Sequence, residues 1–154
     1  MAQACPINSE TVNNRVVRIV AAFVVGFAVA FLVWPQWWLL YLLGADFLLR
    51  GLGRRAYSPL ATAGRLIAST LKLGRDPVNA GPKQFAAKIG VAFSLTAGTL
   101  ALLGFVLAAR IVAAGLLLAA SLEAFLGICV GCHIYALLPT RTAKTLGAET
   151  SIRP

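Results

Sequence analysis

Charge is what this chain has least of: Asp, Glu, Lys and Arg together make up 12% of its 154 residues, where soluble domains run near a quarter, and only five of them are acidic. A water-solvated globule is therefore excluded. There is no room beside the apolar runs for a separate soluble catalytic module, which excludes large cofactor-binding domains and puts any chemistry on a helical bundle. No internal sequence repeat stands out, so an inverted-repeat transporter is not inferred. What is abundant is apolar: 59% hydrophobic residues and a mean hydropathy of +0.82. Fourteen Lys and Arg against those five acids give a net charge of +9, held in short blocks between long apolar stretches. That patterning points to anionic lipid headgroups as the counter-charge, and nucleic acid is not expected as a partner.

These features predict one all-α membrane domain over 1–154, an integral four-helix bundle with an interfacial amphipathic segment between helices two and three. The first span is expected over 16–34, interrupted only by Arg18, with no small-residue cleavage site after it, so it is read as retained. Trp34, Trp37 and Trp38 bracket a Pro-Gln turn and mark a membrane face. A short second span follows over 37–50, carrying Asp46. Residues 50–88 hold eight basic side chains and three prolines and read as a basic cytoplasmic loop, in which Leu60, Gly64, Ile67 and Leu71 fall at helical spacing. Spans three and four are expected over 89–109 and 111–138, divided at Arg110 and stopped by Pro139. Gly90, Ser94 and Gly98 form a stripe that admits a second helix backbone, and Gly127 and Gly131 a shorter one.

Of the fourteen basic residues, all but Arg110 fall on one predicted side, so the positive-inside rule places both termini in the cytoplasm of a multi-pass protein, in a bacterial inner membrane. The three cysteines, Cys5, Cys129 and Cys132, fall on that same side. The cytosol keeps thiols reduced, so a CxxC there is more often redox-active or metal-binding than a structural bridge. On a continuous helix Cys129, Cys132 and His133 share a face, about 28 Å along the axis from Arg110. One objection stands: the pair then lies near a helix C-terminus, where the dipole opposes a thiolate. Protonated His133 or basic residues such as Arg15, Arg18 and Arg141 are the candidates to compensate.

CVGCH also fits the pattern for covalent c-type haem, but that attachment is extracytoplasmic and the only methionine is Met1, so haem is disfavoured. Cys5, Cys129, Cys132 and His133 would make a tetrahedral zinc set if the N-terminal segment folded back. No cofactor is expected; zinc and quinone rank below the cofactor-free reading. Two carboxylates lie inside expected spans. Asp46 has Arg50 at i+4 and reads as a structural ion pair. Glu123 has no partner on its own helix and is the better candidate for moving protons near Cys129.

Several pieces together resemble the family of small bacterial membrane proteins described as domain of unknown function 4395. They are Cys5-Pro6, Val12-Asn13 with Arg18, Asp46-Phe47, Pro82-Lys83-Gln84-Phe85-Ala86 with Ile89-Gly90, and Cys129-Val130-Gly131-Cys132 with Tyr135. The resemblance implies a four-helix integral membrane protein. It implies thiol or sulfur chemistry too, because relatives are associated with thioredoxin-like and sulfurtransferase-type proteins, the partners expected here. It transfers only Cys5, Cys129 and Cys132 as site residues. Gln84 and His133 depart from the family pattern, so no charge pair is transferred at those positions.

The leading expectation is a membrane thiol/disulfide or sulfur-relay protein using the cytoplasmic-face CxxC, with Cys5 as resolving or accepting thiol and His133 and Glu123 managing protons. In bundle size and CxxC placement it resembles quinone-linked disulfide-generating membrane enzymes, whose thiols face the opposite compartment. The alternatives are a non-catalytic accessory subunit of an oligomer or larger membrane complex, or a transporter of a small sulfur-containing anion.

Overall fold

The computed structural model describes residues 11–137. Cys5, Pro139 and the basic tail residues Arg141, Lys144 and Arg153 lie outside the described residues. A short strand β1 (Thr11–Asn13) leads into α1 (Asn14–Val33), and α2 (Trp37–Gly51) returns after the Trp34-Pro35-Gln36 turn. Then come α3 (Pro59–Thr70), a second strand β2 (Pro77–Asn79), α4 (Ala80–Leu102) and α5 (Val106–Ser121). One π-helical turn over Leu122–Leu126 and a short α6 (Val130–Leu137) complete the described residues. Three helical segments are long and apolar enough to cross a membrane: Asn14–Val33, Ala80–Leu102 and Val106–Leu126.

Local chemistry sets these boundaries. β1 and β2 pair antiparallel with Val12 opposite Val78, and each strand ends in an asparagine that caps the helix after it. Asn13 accepts the Arg15 backbone N–H and Asn79 that of Gly81, which satisfies donors left bare in a first turn. The helix expected to begin at Ile89 thus begins at Ala80, and Pro82 is tolerated because a first-turn residue needs no N–H. The break expected at Arg110 falls instead at residues 103–105. There Gly104 takes φ +88° and Phe105 N–H bonds back to Leu100, a glycine-dependent helix stop that leaves Arg110 inside α5. The helix expected to run through 138 stops at Gly127 (φ +70°), so Gly127 serves a backbone turn and not a packing stripe.

A duplication that sequence identity does not reveal organises the whole. The unit of strand, long helix, second helix and short helix occurs twice, and the antiparallel strand pair is self-complementary under a two-fold rotation. Helix packing follows the same exchange: α2 lies on α4 as α5 lies on α1, and α3 lies on α1 as α6 lies on α4. Near the ribbon the core is Val24, Leu43, Phe47, Ala87, Leu116 and Ala120; toward the two hairpin turns it is Phe31, Leu40, Ala97, Ala109 and Ala113. Small residues fill much of the inter-helix space, while Leu107, Ile111, Leu118 and Phe125 face outward. That inversion of soluble packing suits helices whose exterior is lipid.

The Gly90, Ser94 and Gly98 stripe faces α2. A Cβ on Gly90 would stand 2.8 Å from the Phe47 ring, and one on Gly98 3.2 Å from Tyr41. Gly90→Ala is therefore expected to cost about 1–3 kcal/mol by overpacking. Thermal unfolding in detergent checks this, and a variant as stable as wild type would contradict the close α2–α4 contact.

Candidate functional site

The end of α5 is where the chain departs most from a regular helix. The π-helical turn at 122–126 leaves carbonyl groups without intrahelical partners, and such turns gather at functional sites. Arg18, the one charge within the first apolar run, reaches across from α1: its Nε donates to the Ala124 carbonyl (3.1 Å) and its Nη2 to that of Phe125 (2.9 Å). A cation over the C-terminal carbonyls is also favoured by the helix dipole. Glu123, within the same turn, accepts from Lys83 Nζ of α4 at 2.5 Å, and both side chains are largely buried. The partner missing from its own helix is thus supplied by the preceding one.

Beyond Gly127 a new helix starts, and Cys129 stands at its entrance. The Cys132 backbone N–H donates to Cys129 Sγ (3.3 Å), and the His133 N–H donates to the Cys129 carbonyl (3.1 Å), the bond that opens α6. Cys129 therefore caps a helix N-terminus, which corrects the expectation that the pair shares a face of one long helix near its C-terminus. At this end the dipole supports a thiolate. Cys129 is buried at 6% exposure, Cys132 is half-buried, and both are free thiols. Both lie past the Val106–Leu126 apolar segment.

The two thiols are held apart in acidity by their contact. A hydrogen bond from the Cys132 thiol pulls Cys129 below the ordinary thiol value against burial and Glu123, and Lys83 assists. The same contact, with burial, pushes Cys132 far up. His133 is exposed, and its Nδ1 lies 3.3 Å from the Cys129 carbonyl oxygen, so the ring steadies the helix start at that nitrogen and meets no sulfur through it. Among the described residues no three His, Cys, Asp or Glu side chains converge as a metal site.

The first half of the chain holds the counterpart. Ser58 caps α3 as Cys129 caps α6, accepting the Ala61 N–H on its side chain and the Thr62 N–H on its carbonyl. Ser58 also donates to Asp46 Oδ1 (2.6 Å), which accepts from the Leu60 N–H as well (3.1 Å), and Arg50 Nε lies 3.0 Å from Asp46 Oδ2. Asp46 is thus an ion-pair partner, as its spacing implies, and also an anchor for the start of α3. A carboxylate, a cation and a helix-capping side chain recur in both halves, with sulfur replacing oxygen only in the second.

Two adjoining cavities open among these groups. One of about 250 Å³ is lined by Cys129, Glu123 and Arg50 with Phe93, Gly131 and Ile134. A larger one of about 470 Å³ is bounded by Arg50, Arg55, Arg65, Lys83 and Glu123 beside Val16, Val20 and Phe47. The roles of Lys83, Arg18 and Arg65 are invisible to spacing, since each meets its partner across elements; the only cue to Arg18 is its isolation within an apolar run.

The fold and site together define a helical protein with three helices able to cross a membrane and a dithiol at the mouth of a short helix. The family described as domain of unknown function (DUF4395) matches residues 12–139, and the chain belongs to that family. No curated protein and no solved structure matches the chain.

Because Cys129 is the lowered thiol of the pair, alkylation by iodoacetamide is expected at Cys129 before Cys132. Its rate should rise with pH and reach half-maximum below the pH of an ordinary thiol, since the thiolate is the reacting form. Lys83→Gln should move that midpoint upward. Rates followed by mass mapping check both, and earlier labelling of Cys132 would contradict the assignment.

Proposed function

We propose that this protein is a membrane thiol/disulfide or sulfur-relay protein in which Cys129 attacks and Cys132 resolves. The observation that carries the reading is the Cys129 sulfur at the N-terminus of α6, receiving the Cys132 N–H and opening onto a cavity beside the Lys83–Glu123 pair. Cys129 thiolate attacks one sulfur of a partner disulfide, forming a mixed disulfide and releasing the other partner sulfur as thiolate. That leaving thiolate takes the Cys132 proton. Cys132 thiolate then attacks Cys129 sulfur, closing the Cys129–Cys132 disulfide and releasing the second partner thiol after protonation by water, so two electrons pass to the partner. With a sulfane-sulfur donor the Cys129 thiolate instead attacks the outer sulfur, whose bond to the donor breaks; the donor leaves as a thiolate or as sulfite, and a persulfide remains on Cys129. Cys5 is the accepting thiol in this scheme, and a thioredoxin-like or sulfurtransferase-type protein is the partner.

The reading includes a setting. α1, α2, α4 and α5 form an integral four-helix bundle over a single membrane domain, with α3 at the headgroup level, in a bacterial inner membrane with both termini cytoplasmic. The basic residues around the ribbon support this, as do the exposed Trp34, Trp37 and Trp38 at the opposite turn. α2 has 15 residues, about 22 Å at 1.5 Å per residue. That is short for the full hydrocarbon core, and its end at Arg50 opens into the basic cavity, where water completes the crossing.

Cys132→Ser is expected to accumulate a mixed disulfide with a thiol protein in native membranes, whereas Cys129→Ser accumulates none. Non-reducing electrophoresis with mass identification reads the difference. Equal trapping by both variants, or by neither, would overturn the assignment of roles.

A further inference from the structure

We propose that the larger cavity is a binding site for a tetrahedral oxyanion, phosphate or sulfate in its chemistry. Arg50, Arg55, Arg65 and Lys83 line it, drawn from α2, the segment after it, α3 and α4. Against these four cations stand Glu123 at the wall, bonded to Lys83, and Asp46 behind Arg50. Much of the rest of the lining is apolar, with Val16, Val17, Val20, Phe47 and Ala87, walls of low dielectric that focus the field of the cations into the cavity.

Arg50 carries the strongest indication. Its Nε edge faces Asp46 and its guanidinium lies 4.5 Å over the Phe47 ring, yet Nη2 is buried with no acceptor among the described residues. A buried guanidinium N–H without an acceptor is costly, and an oxyanion in the cavity brings acceptors to that fork. Guanidinium forks suit phosphate and sulfate better than a monatomic anion, because two N–H groups meet two oxygens of one ligand. Arg65 is held toward the site by donating to the Arg55 carbonyl. Free inorganic anion and the headgroup of an anionic phospholipid share this chemistry, and the apolar wall leaves space for an acyl or glycerol portion.

The site is read by thermal unfolding of the wild-type chain in uncharged detergent, with no thiol readout, so it stands or falls apart from the relay. Sodium sulfate and phosphate are compared with sodium chloride at equal ionic strength. In parallel, the protein is placed in phosphatidylcholine bilayers with and without phosphatidylglycerol, and retained lipid is weighed by native mass spectrometry. A saturable upward shift with sulfate or phosphate, with Arg65→Gln raising the half-saturating concentration on the order of tenfold and Arg65→Lys raising it less, identifies a free anion. No shift with free anion, but phosphatidylglycerol retained by wild type and lost from Arg65→Gln, identifies a lipid headgroup. Sulfate and chloride acting alike without retained lipid, or Arg55→Gln and Arg65→Gln both behaving as wild type, would overturn the site.

Discussion

The arrangement of the site rests on a helix that is broken and then held broken. Had the segment after α5 continued regularly, Cys129 would sit mid-helix among its own carbonyls, with no backbone N–H free to reach its sulfur. The π-helical turn and the positive φ of Gly127 end the helix early, and Arg18 receives the exposed carbonyls of Ala124 and Phe125. Carbonyls left bare near membrane depth cost on the order of several kcal/mol each. One arginine in an apolar run is therefore what makes a second helix N-terminus affordable at that place, and that helix start sets Cys129 against the Cys132 thiol, which lowers it most, and the Cys132 backbone N–H, which adds to it.

The duplication explains why a helix begins there. In both halves a long helix leaves the strand ribbon, a second returns, and a third starts on a side chain that accepts its own N3 backbone N–H. In the first half that side chain is Ser58, tied to Asp46 and through it to Arg50, a closed arrangement that anchors α3. In the second it is Cys129, whose neighbouring carboxylate Glu123 is engaged with Lys83. The same backbone solution thus serves as a structural cap where the atom is oxygen and as a candidate reactive centre where it is sulfur. The two cavities share Val17, Phe47, Arg50, Ala86 and Glu123, so the halves meet at one polar interior.

Much of the frame is legible in the sequence because it rests on local signals. The Trp-Pro-Gln-Trp turn, the Asp46–Arg50 spacing and the Gly90, Ser94, Gly98 stripe each carry their meaning within a few residues. Boundaries set by capping were harder to see. Asn79 and Gly104 moved the ends of α4 because an N-cap and a positive-φ glycine outweigh apolar periodicity. The site was legible only as a list of residues: Cys129, Cys132 and Glu123 are brought together, whereas His133 turns its Nδ1 to the Cys129 carbonyl. The partners of Lys83 and Arg18 escaped because they lie 40 and 106 or more positions away. The repeat escaped because the halves share geometry and little beyond a Val-Asn pair before each long helix.

Redox titration with mass mapping in native membranes decides whether Cys129 and Cys132 form a working dithiol. Free thiols are trapped with a membrane-permeant alkylator across a series of glutathione potentials. A working dithiol gives a reversible Cys129–Cys132 disulfide, or a persulfide on Cys129, that forms and disappears within the range of cytosolic potentials. Two thiols that remain free and unmodified at every potential would contradict it.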